Sequence, residues 1–394
     1  MKKILLSISL FISLSSFSIY KVGTTSIYVS NGPRNIPNNI YYPSSVDGIN
    51  TPIIDDGSKF PVISFGHGFV MQPTAYNWLV NALVPYGYIL AFPGTETGVP
   101  PSHSKFGSDL AFVARAIKAL GDSSNSIFFG KTADYNAVGG HSMGGGASFL
   151  AMQNVNDITT FFNFSAAETF NTESAITKAK VCRRPALVFT GTKDCVAPAA
   201  GNSLDMYKNL TSEYKFFGNI INGSHCQFAD PNETPCELGE TLACASNVYI
   251  TRAQQQARVI ALLKPWLDFW LKRDCDAITT FYTNAAANLV NIDTLQNKII
   301  TCSALSTITS VRNTNSLIAQ IFPNPSNGFF TLEINENYKQ AVLQVFDLTG
   351  KIVDSKLFNN QQSIQLDYSY LAKGMYQIQV KTDNDNYFSK IIIQ

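Results

Sequence analysis

The 394-residue sequence lacks an excess of charge of either sign. Its 29 basic and 28 acidic residues give a formal net charge of +1, and neither sign forms a long run. Nucleic acids and anionic membrane surfaces attract proteins through concentrated basic charge, so this balance argues against both as partners. An uncharged small molecule or polymer is the kind of substrate that we expect instead.

Long apolar runs are also missing after the first residues. Two lysines precede an apolar stretch, Ile4–Phe17, that serines interrupt. This stretch is shorter than the ~20 residues that a membrane-spanning helix needs. Small residues at its end, Ser16 and Ser18, suit cleavage by signal peptidase. We therefore predict a signal peptide over residues 1–18 and export of the protein.

Cysteine is confined to one part of the chain, because all seven residues lie between Cys182 and Cys302. Neither a C-x-x-C motif nor a paired-histidine spacing occurs, so no metal site is expected. An exported chain meets oxidising conditions, which favours disulfides, and the odd count leaves at least one thiol over.

From Pro61 onward, short apolar runs alternate with helical patterns. Apolar residues recur at helical spacing over Gly107–Leu120 and over Arg252–Leu271, where Pro265 is a possible kink. The apolar runs are typical of buried strands: Val62–Phe65, Ile89–Phe92, Ala137–Gly139, Phe161–Ser165 and Ala186–Thr190. This alternation predicts an α/β domain over residues 19–302, with a mainly parallel sheet covered by helices on both faces.

The composition changes near the end of the chain. Residues 303–318 are polar and without periodicity, which predicts a linker. Short alternating runs separated by turn signals follow over residues 319–394 and predict a small antiparallel β-sandwich. The runs are Phe329–Ile334, Ala341–Phe346, Ser363–Leu366, Tyr376–Val380 and Phe388–Ile393.

A nucleophile motif follows the third apolar run. Gly140-His141-Ser142-Met143-Gly144 fits the pattern G-x-S-x-G, with a short strand before it and helix-compatible residues after it. Such a serine occupies a strained strand-to-helix turn, where flanking glycines permit close packing. The helix N-terminus behind it favours developing negative charge. We predict that Ser142 is the nucleophile of an α/β-hydrolase fold.

The histidine of a catalytic triad follows by elimination. In this fold the acid and then the histidine come after the serine in the chain. Only the last of the four histidines satisfies this order: His67, His103, His141 and His225. His225 is therefore the predicted general base, although a lone histidine in a loop is more often a surface residue.

The triad acid is chosen by its position after a strand. Six acidic residues lie between Ser142 and His225: Asp157, Glu168, Glu173, Asp194, Asp205 and Glu213. Only Asp194 directly follows a strongly apolar strand, where a triad acid can hold the imidazole tautomer. Asp157 reads as solvated surface at a helix end. We predict Asp194.

An oxyanion hole requires two backbone N–H groups. The residue after the nucleophile, Met143, supplies one. Gly66-His67-Gly68-Phe69 follows an apolar strand, as the second donor loop should, and Phe69 is its predicted donor. An ordinary strand-to-helix turn with two glycines is the alternative.

Two cysteines adjoin the predicted triad residues, Cys195 after Asp194 and Cys226 after His225. If the acid and the histidine share a hydrogen bond, these neighbours lie within disulfide reach. We therefore predict a Cys195–Cys226 pair. Cys236–Cys244 is the expected pair closing the loop between them, Cys275–Cys302 is expected at the end of the first domain, and Cys182 is left over. A Cys226–Cys236 pair is the competing possibility, because sequence does not fix connectivity.

With these residues in place, the region from Pro61 to His225 resembles the polyesterase–lipase–cutinase group and its dienelactone-hydrolase-like and chlorophyllase-like relatives. The likeness rests on Gly-His-Gly-Phe, Gly-His-Ser-Met-Gly-Gly-Gly, Lys-Asp-Cys-Val-Ala-Pro and Gly-Ser-His. It implies hydrolysis of esters through a serine acyl-enzyme, without a cofactor. Cutinases line the cleft with an aromatic residue, usually Trp, where this chain has Ser-Ala-Ala-Glu-Thr-Phe-Asn. Phe69, Glu168 and Phe170 are the expected substrate residues.

The end of the chain resembles the C-terminal sorting domain of the type IX secretion pathway. The matching blocks are Phe-Pro-Asn-Pro-Ser-Asn-Gly, Val-Phe-Asp-Leu-Thr-Gly-Lys-Ile-Val and Leu-Ala-Lys-Gly-Met-Tyr. The resemblance implies passage across an outer membrane by the type IX machinery, ending in secretion or attachment at the cell surface. A carbohydrate-binding or adhesion sandwich is the alternative for this small domain.

Together these patterns predict a secreted, monomeric serine carboxylic-ester hydrolase. The expected substrates are esters with an apolar acyl group, with polyesters such as poly(ethylene terephthalate) (PET) among the candidates. The alternative is a hydrolase-like domain that has lost catalysis and serves as a surface binding or adhesion protein. Both predicted oxyanion loops and all three triad positions are present, which favours the enzyme.

Overall fold

A computed structural model describes residues 20–153, 155–169, 173–244, 249–287, 291–292, 299–307, 319–334, 338–347, 351–382 and 386–394. The chain divides into two compact units, Met1–Ile308 and Thr309–Gln394. Over the described ranges, no helix combines the length and the apolar character that a membrane span requires.

The first unit is built on one mixed sheet. Its strands are β1 (Lys21–Asn31), β2 (Arg34–Ser44), β3 (Gly48–Ile49), β4 (Phe60–Gly66), β5 (Ile89–Pro93), β6 (Thr132–His141), β7 (Thr160–Phe164), β8 (Ala186–Gly191), β9 (Lys215–Ile220) and β10 (Asn291–Ile292). Their order across the sheet is β10-β9-β8-β7-β6-β4-β5-β2-β1-β3. Neighbours from β5 through β9 are parallel, whereas β2 pairs antiparallel with both β1 and β5.

Helices pack against this sheet. They are α1 (Asn77–Leu83), α2 (His103–Ala119), α3 (Met143–Ala151), α4 (Ala175–Ala179), α5 (Ser203–Asn209), α6 (Thr234–Ala243), α7 (Arg252–Lys272), α8 (Cys275–Ala286) and α9 (Ala304–Thr307). Side chains from α1, α7 and α8 join one core cluster, and side chains from α2 to α5 join another.

Two hydrophobic cores explain why the central strands are continuously apolar. Along β7, Phe162 belongs to the first cluster and Phe161 to the second, because successive side chains of a strand point to opposite faces. Both faces are covered, so both sets of residues must be apolar. The predicted α/β fold is confirmed.

The hairpin of β1 and β2 was not predicted from the sequence. Both strands are rich in polar residues, and β2 contains Pro37, which pairs with Tyr28. A proline inside a polar run argues against a strand, because it has no N–H to donate to a neighbouring strand. Pro37 lies just before the residues of β2 that pair with β5, Asn38–Tyr41, and its carbonyl oxygen accepts Gly94 N–H at 2.8 Å. β2 extends the sheet by pairing with β5, and buried Ile36, Ile40 and Tyr42 give it an apolar face.

Helix α7 carries the largest buried side chains of the first core. Thr251 and Gln254 form a capping box at its start, and the helix continues through Pro265. Trp266 and Trp270 are fully buried, and Trp266 Nε1 donates to Thr160 Oγ1 at 2.9 Å. Burying each ring contributes on the order of 2–3 kcal/mol, which fixes α7 against β7.

The second unit consists of two antiparallel sheets. One has the order β11-β12-β15 and the other β14-β13-β16-β17. Alternate residues of these strands, such as Leu332, Leu343 and Ile378, are buried in a shared core. The predicted β-sandwich is thereby confirmed. The strands are β11 (Ala319–Phe322), β12 (Phe329–Ile334), β13 (Ala341–Phe346), β14 (Ile352–Phe358), β15 (Ser363–Asp367), β16 (Gly374–Thr382) and β17 (Asn386–Ile393).

Candidate active site

The predicted nucleophile occupies the turn between β6 and α3. Ser142 has φ 54° and ψ −117°, a left-handed φ that a residue with a side chain rarely adopts. A Cβ on Gly140 would overlap the carbonyl oxygen of Gly144, and a Cβ on Gly144 would overlap that of Gly66. Glycine is therefore required two residues before and two residues after Ser142.

Backbone hydrogen bonds hold this turn in place. Ser142 N–H donates to Phe164 O of β7 at 3.0 Å, and its carbonyl oxygen accepts from Gly146 and Ala167 at 3.0 Å. The serine itself is 9 % exposed. Several hydrogen bonds from neighbouring segments thus hold the strained backbone of Ser142. The turn lies at the carboxyl edge of the parallel strands.

The structure brings Asp194 and His225 together. They lie in loops that follow the neighbouring parallel strands β8 and β9. His225 Nδ1 donates to Asp194 Oδ2 at 2.8 Å, and the two side chains are 2 % and 0 % exposed. Asp194 Oδ1 accepts the backbone N–H groups of Val196 at 3.0 Å and Ala197 at 2.8 Å. These bonds fix the carboxylate so that its second oxygen faces the imidazole.

His141, the residue before Ser142, connects the elbow to the histidine loop. Its ring centroid lies 4.8 Å from that of His225. His141 Nε2 is 3.2 Å from His225 O, and its Nδ1 is 3.0 Å from the Tyr76 hydroxyl. Burial holds the pKa of His141 well below its usual value, so the ring is neutral near pH 7.

The acceptors in this chain of hydrogen bonds determine which atoms carry the protons. A carbonyl oxygen only accepts, so His141 Nε2 carries the proton and Nδ1 accepts from Tyr76. Burial raises the pKa of Tyr76, which keeps its hydroxyl protonated. The Tyr76 oxygen in turn accepts from Gly68 N–H at 2.9 Å. Buried hydrogen bonds therefore run from the Gly68 loop through Tyr76 and His141 to His225.

We expect Tyr76→Phe to lower the free energy of unfolding of the first unit by about 2 kcal/mol, because it leaves Gly68 N–H and His141 Nδ1 buried without a partner. Urea denaturation followed by tryptophan fluorescence measures this unit alone, since all three tryptophans lie within it. Tyr28→Phe, at a side chain that is 68 % exposed, is the matched control and should change little. Equal stability of the two variants would contradict the prediction.

The two predicted oxyanion donors lie in adjoining segments. Met143 is the first residue of α3, where a helix leaves N–H groups without an intrahelical acceptor. Gly144 N–H donates to His67 O at 3.0 Å, which holds the loop containing Phe69 against the start of α3. The His67 ring lies between Gly68 O and Thr95 O, at 2.8 and 2.9 Å, and burial lowers its pKa.

A model of the PET hydrolase-like family matches residues 17–247, which include the elbow and the Asp194–His225 pair. The chain belongs to the PET hydrolase-like family. It is therefore a hydrolase of the α/β-hydrolase type, and a substrate is its expected partner. No curated protein matches the sequence.

A second family model, for the secretion system C-terminal sorting domain, matches residues 320–394. The resemblance to the type IX sorting domain is thereby confirmed. This hydrolase is exported, and it is secreted or attached to the cell surface by a machinery that reads the sorting domain.

Disulfides of the hydrolase differ from the predicted pairs beside the triad. Cys195 bonds to Cys244 and Cys226 bonds to Cys236, with Cα–Cα distances of 5.5 and 5.7 Å. The predicted Cys195–Cys226 and Cys236–Cys244 pairs are wrong, and the competing Cys226–Cys236 pair is present. Cys275–Cys302 is present as predicted, and Cys182 is the free, buried cysteine.

The reason for the error is the direction of side chains. Asp194 and His225 point toward each other, so the residues that follow them point elsewhere. Cys236 lies in the first turn of helix α6, and Cys244 directly follows its last residue. Eight residues of helix span about 12 Å, which is too far for a disulfide.

Of the predicted substrate residues, Glu168 has structural partners. Its carboxylate accepts the N–H groups of Ala175 at 2.9 Å and Ile176 at 3.0 Å and so caps helix α4. Its role toward a substrate stays a prediction. Phe69 is 50 % exposed, and Phe170 lies outside the described residues. Within the described part of the chain, no three histidine, cysteine, aspartate or glutamate side chains are grouped to hold a metal ion.

Proposed function

We propose that this family member is a serine carboxylic-ester hydrolase that acts through an acyl-enzyme. The observation that supports it most is the Asp194–His225 hydrogen bond of 2.8 Å, together with the strained Ser142, whose preceding residue His141 has its ring 4.8 Å from that of His225. A nucleophile on a strained turn, a base and a buried acid that orients the base are the parts that acyl transfer needs.

In the proposed mechanism, Ser142 Oγ attacks the ester carbonyl carbon while His225 Nε2 takes its proton. The tetrahedral intermediate collapses, and His225 gives the proton to the departing alcohol. Water then attacks the acyl-enzyme and gives a proton to His225. As the acid product leaves, His225 returns this proton to Ser142 Oγ. No further reactant is needed.

Asp194 remains ionised through the cycle. Two backbone N–H groups already stabilise its charge, from Val196 and Ala197. A carboxylate held in this way stabilises the imidazolium that forms at His225 and keeps the proton on Nδ1. Asp194 therefore contributes by orienting the His225 ring and by stabilising the positive charge that forms on it.

The oxyanion is assigned to the N–H groups of Met143 and Phe69. Each such donor typically accelerates acyl transfer by about 10²–10³-fold, because it meets charge that develops only in the transition state. The support is structural proximity: the His67 carbonyl accepts from Gly144 at 3.0 Å and draws the two segments together.

Esters with an apolar acyl group, including polyesters such as PET, are the proposed substrates. Phe69 stands on the proposed oxyanion loop, and its half-exposed side chain offers an apolar surface to an acyl group. The near-neutral net charge of +1 is compatible with an uncharged polymer surface.

A fluorophosphonate probe tests the proposal directly. We expect it to label the full-length protein once, on the peptide that contains Ser142, because an activated serine attacks phosphorus and stays bonded to it. Peptide mass spectrometry locates the label, and protein unfolded in urea is the control that should not react. Absence of labelling on the folded protein would favour a surface binding protein without catalysis.

A further inference from the structure

Helix α6 (Thr234–Ala243) buries none of its residues, yet covalent bonds attach it at both ends. Cys236 in its first turn bonds to Cys226, and Cys244 after its last turn bonds to Cys195. On the outer side, Leu238 and Leu242 are 56 % and 79 % exposed. Disulfides rather than apolar burial therefore hold this helix in place.

The spacing of α6 directs one face toward the predicted catalytic loops. Cys236, Glu240 and Cys244 follow one another at intervals of four residues, which places them on the same side of a helix. The partners of the two cysteines, Cys226 and Cys195, each come directly after a predicted triad residue. Glu240, midway between them, consequently faces the same loops.

Glu240 contacts the backbone of His225 itself. Its Oε1 accepts His225 N–H at 2.7 Å and Cys226 N–H at 3.3 Å. His225 precedes a short 3-10 helix, Cys226–Phe228, and no side-chain hydrogen bond from His225 caps it. The N–H groups at such a start need an outside acceptor, and a carboxylate is a strong one.

Three groups then fix His225 from different sides. Glu240 holds its N–H, His141 Nε2 holds its carbonyl oxygen at 3.2 Å, and Asp194 holds its ring at 2.8 Å. We propose that Glu240 is a positioning residue for the general base and that α6 is a brace that carries it. This inference rests on the proposed function, because it assigns His225 the role of base.

The brace does not depend on Glu240 for its own attachment. Besides the disulfides, Glu237 Oε1 is 3.1 Å from Arg252 Nη2, and Arg252 donates to the carbonyl oxygens of Cys226, Ala229 and Asp230. Loss of the Glu240 carboxylate therefore leaves α6 in position and frees only the backbone at His225.

The test compares three substitutions in the full-length protein on a soluble p-nitrophenyl ester. We expect Glu240→Ala and Glu240→Asp, whose side chains do not reach His225 N–H, to lower kcat about tenfold with KM unchanged, because a small displacement of the base slows proton transfer. Glu240→Gln retains an accepting Oε1 and should restore kcat to near the wild-type value. If Glu240→Ala does not fold, Glu240→Asp decides.

Leu242→Ala, on the exposed side of α6, is the control and should match the wild type. Wild-type kcat in Glu240→Asp, or a change in KM alone, would overturn the inference. So would a Glu240→Gln protein as slow as Glu240→Ala. An inactive wild type refutes the proposed function, and the inference with it, whereas an active wild type with unaffected variants refutes the inference alone.

Discussion

Ser142→Ala is expected to lower kcat for short p-nitrophenyl esters by about 10⁶-fold, the loss typical of removing a triad nucleophile. Without Oγ no acyl-enzyme forms, and the Asp194–His225 pair has no hydroxyl to deprotonate. What remains is the oxyanion hole and substrate binding, which together give a small residual rate over water. Steady-state kinetics on purified protein, with circular dichroism to verify the fold, measures the effect.

Ser148→Ala is the matched control for this substitution. Ser148 lies on the same helix α3, is fully buried, and donates from Oγ to Gly145 O at 2.6 Å. Its hydroxyl is satisfied inside the helix and has no proposed catalytic role, so kcat should keep its order of magnitude. Turnover by Ser142→Ala at the level of Ser148→Ala would exclude Ser142 as the nucleophile.

The second large effect is expected for Asp194→Asn, with kcat lower by about 10⁴-fold in the same p-nitrophenyl ester assay. The amide is nearly the same size, but it carries no charge and its NH₂ group donates where the carboxylate accepted. His225 would then present the wrong tautomer to Ser142, and its imidazolium would lose its counter-charge. The uncharged amide oxygen would also accept the Val196 and Ala197 N–H groups more weakly than the carboxylate does.

Asp157→Asn provides the comparison. Asp157 pairs with Arg115, with Oδ2 at 2.6 Å from Nε, so it is an ion-pair partner rather than the solvated surface acid that the sequence predicted. It precedes β7 and so lies at the amino edge of the parallel strands, opposite the elbow. A similar drop in kcat for both variants would indicate a general effect of losing an ion pair and would remove Asp194 from the mechanism.

The sequence by itself determined the fold class of both units and the order in the chain of the proposed triad residues. Five strands of the second unit matched predicted runs because alternating burial is a local pattern, as in Phe329–Ile334 and Ala341–Phe346. No run was predicted for β11 or β14. The elbow was predictable because its glycines are required within a few residues of Ser142. His225 was reached because only one histidine follows that serine.

Only the tertiary structure decided which groups surround His225. His141 and Glu240 lie far apart in the chain, and no local spacing indicates that a ring and a carboxylate meet at the His225 backbone or that the Tyr76 hydroxyl bonds to that ring. The disulfides show the same limit. The side chains of adjacent residues point in different directions. Cys195 and Cys226 therefore bond to cysteines at the two ends of α6 instead of to each other. Direction and distance are fixed by packing, which sequence patterns do not contain.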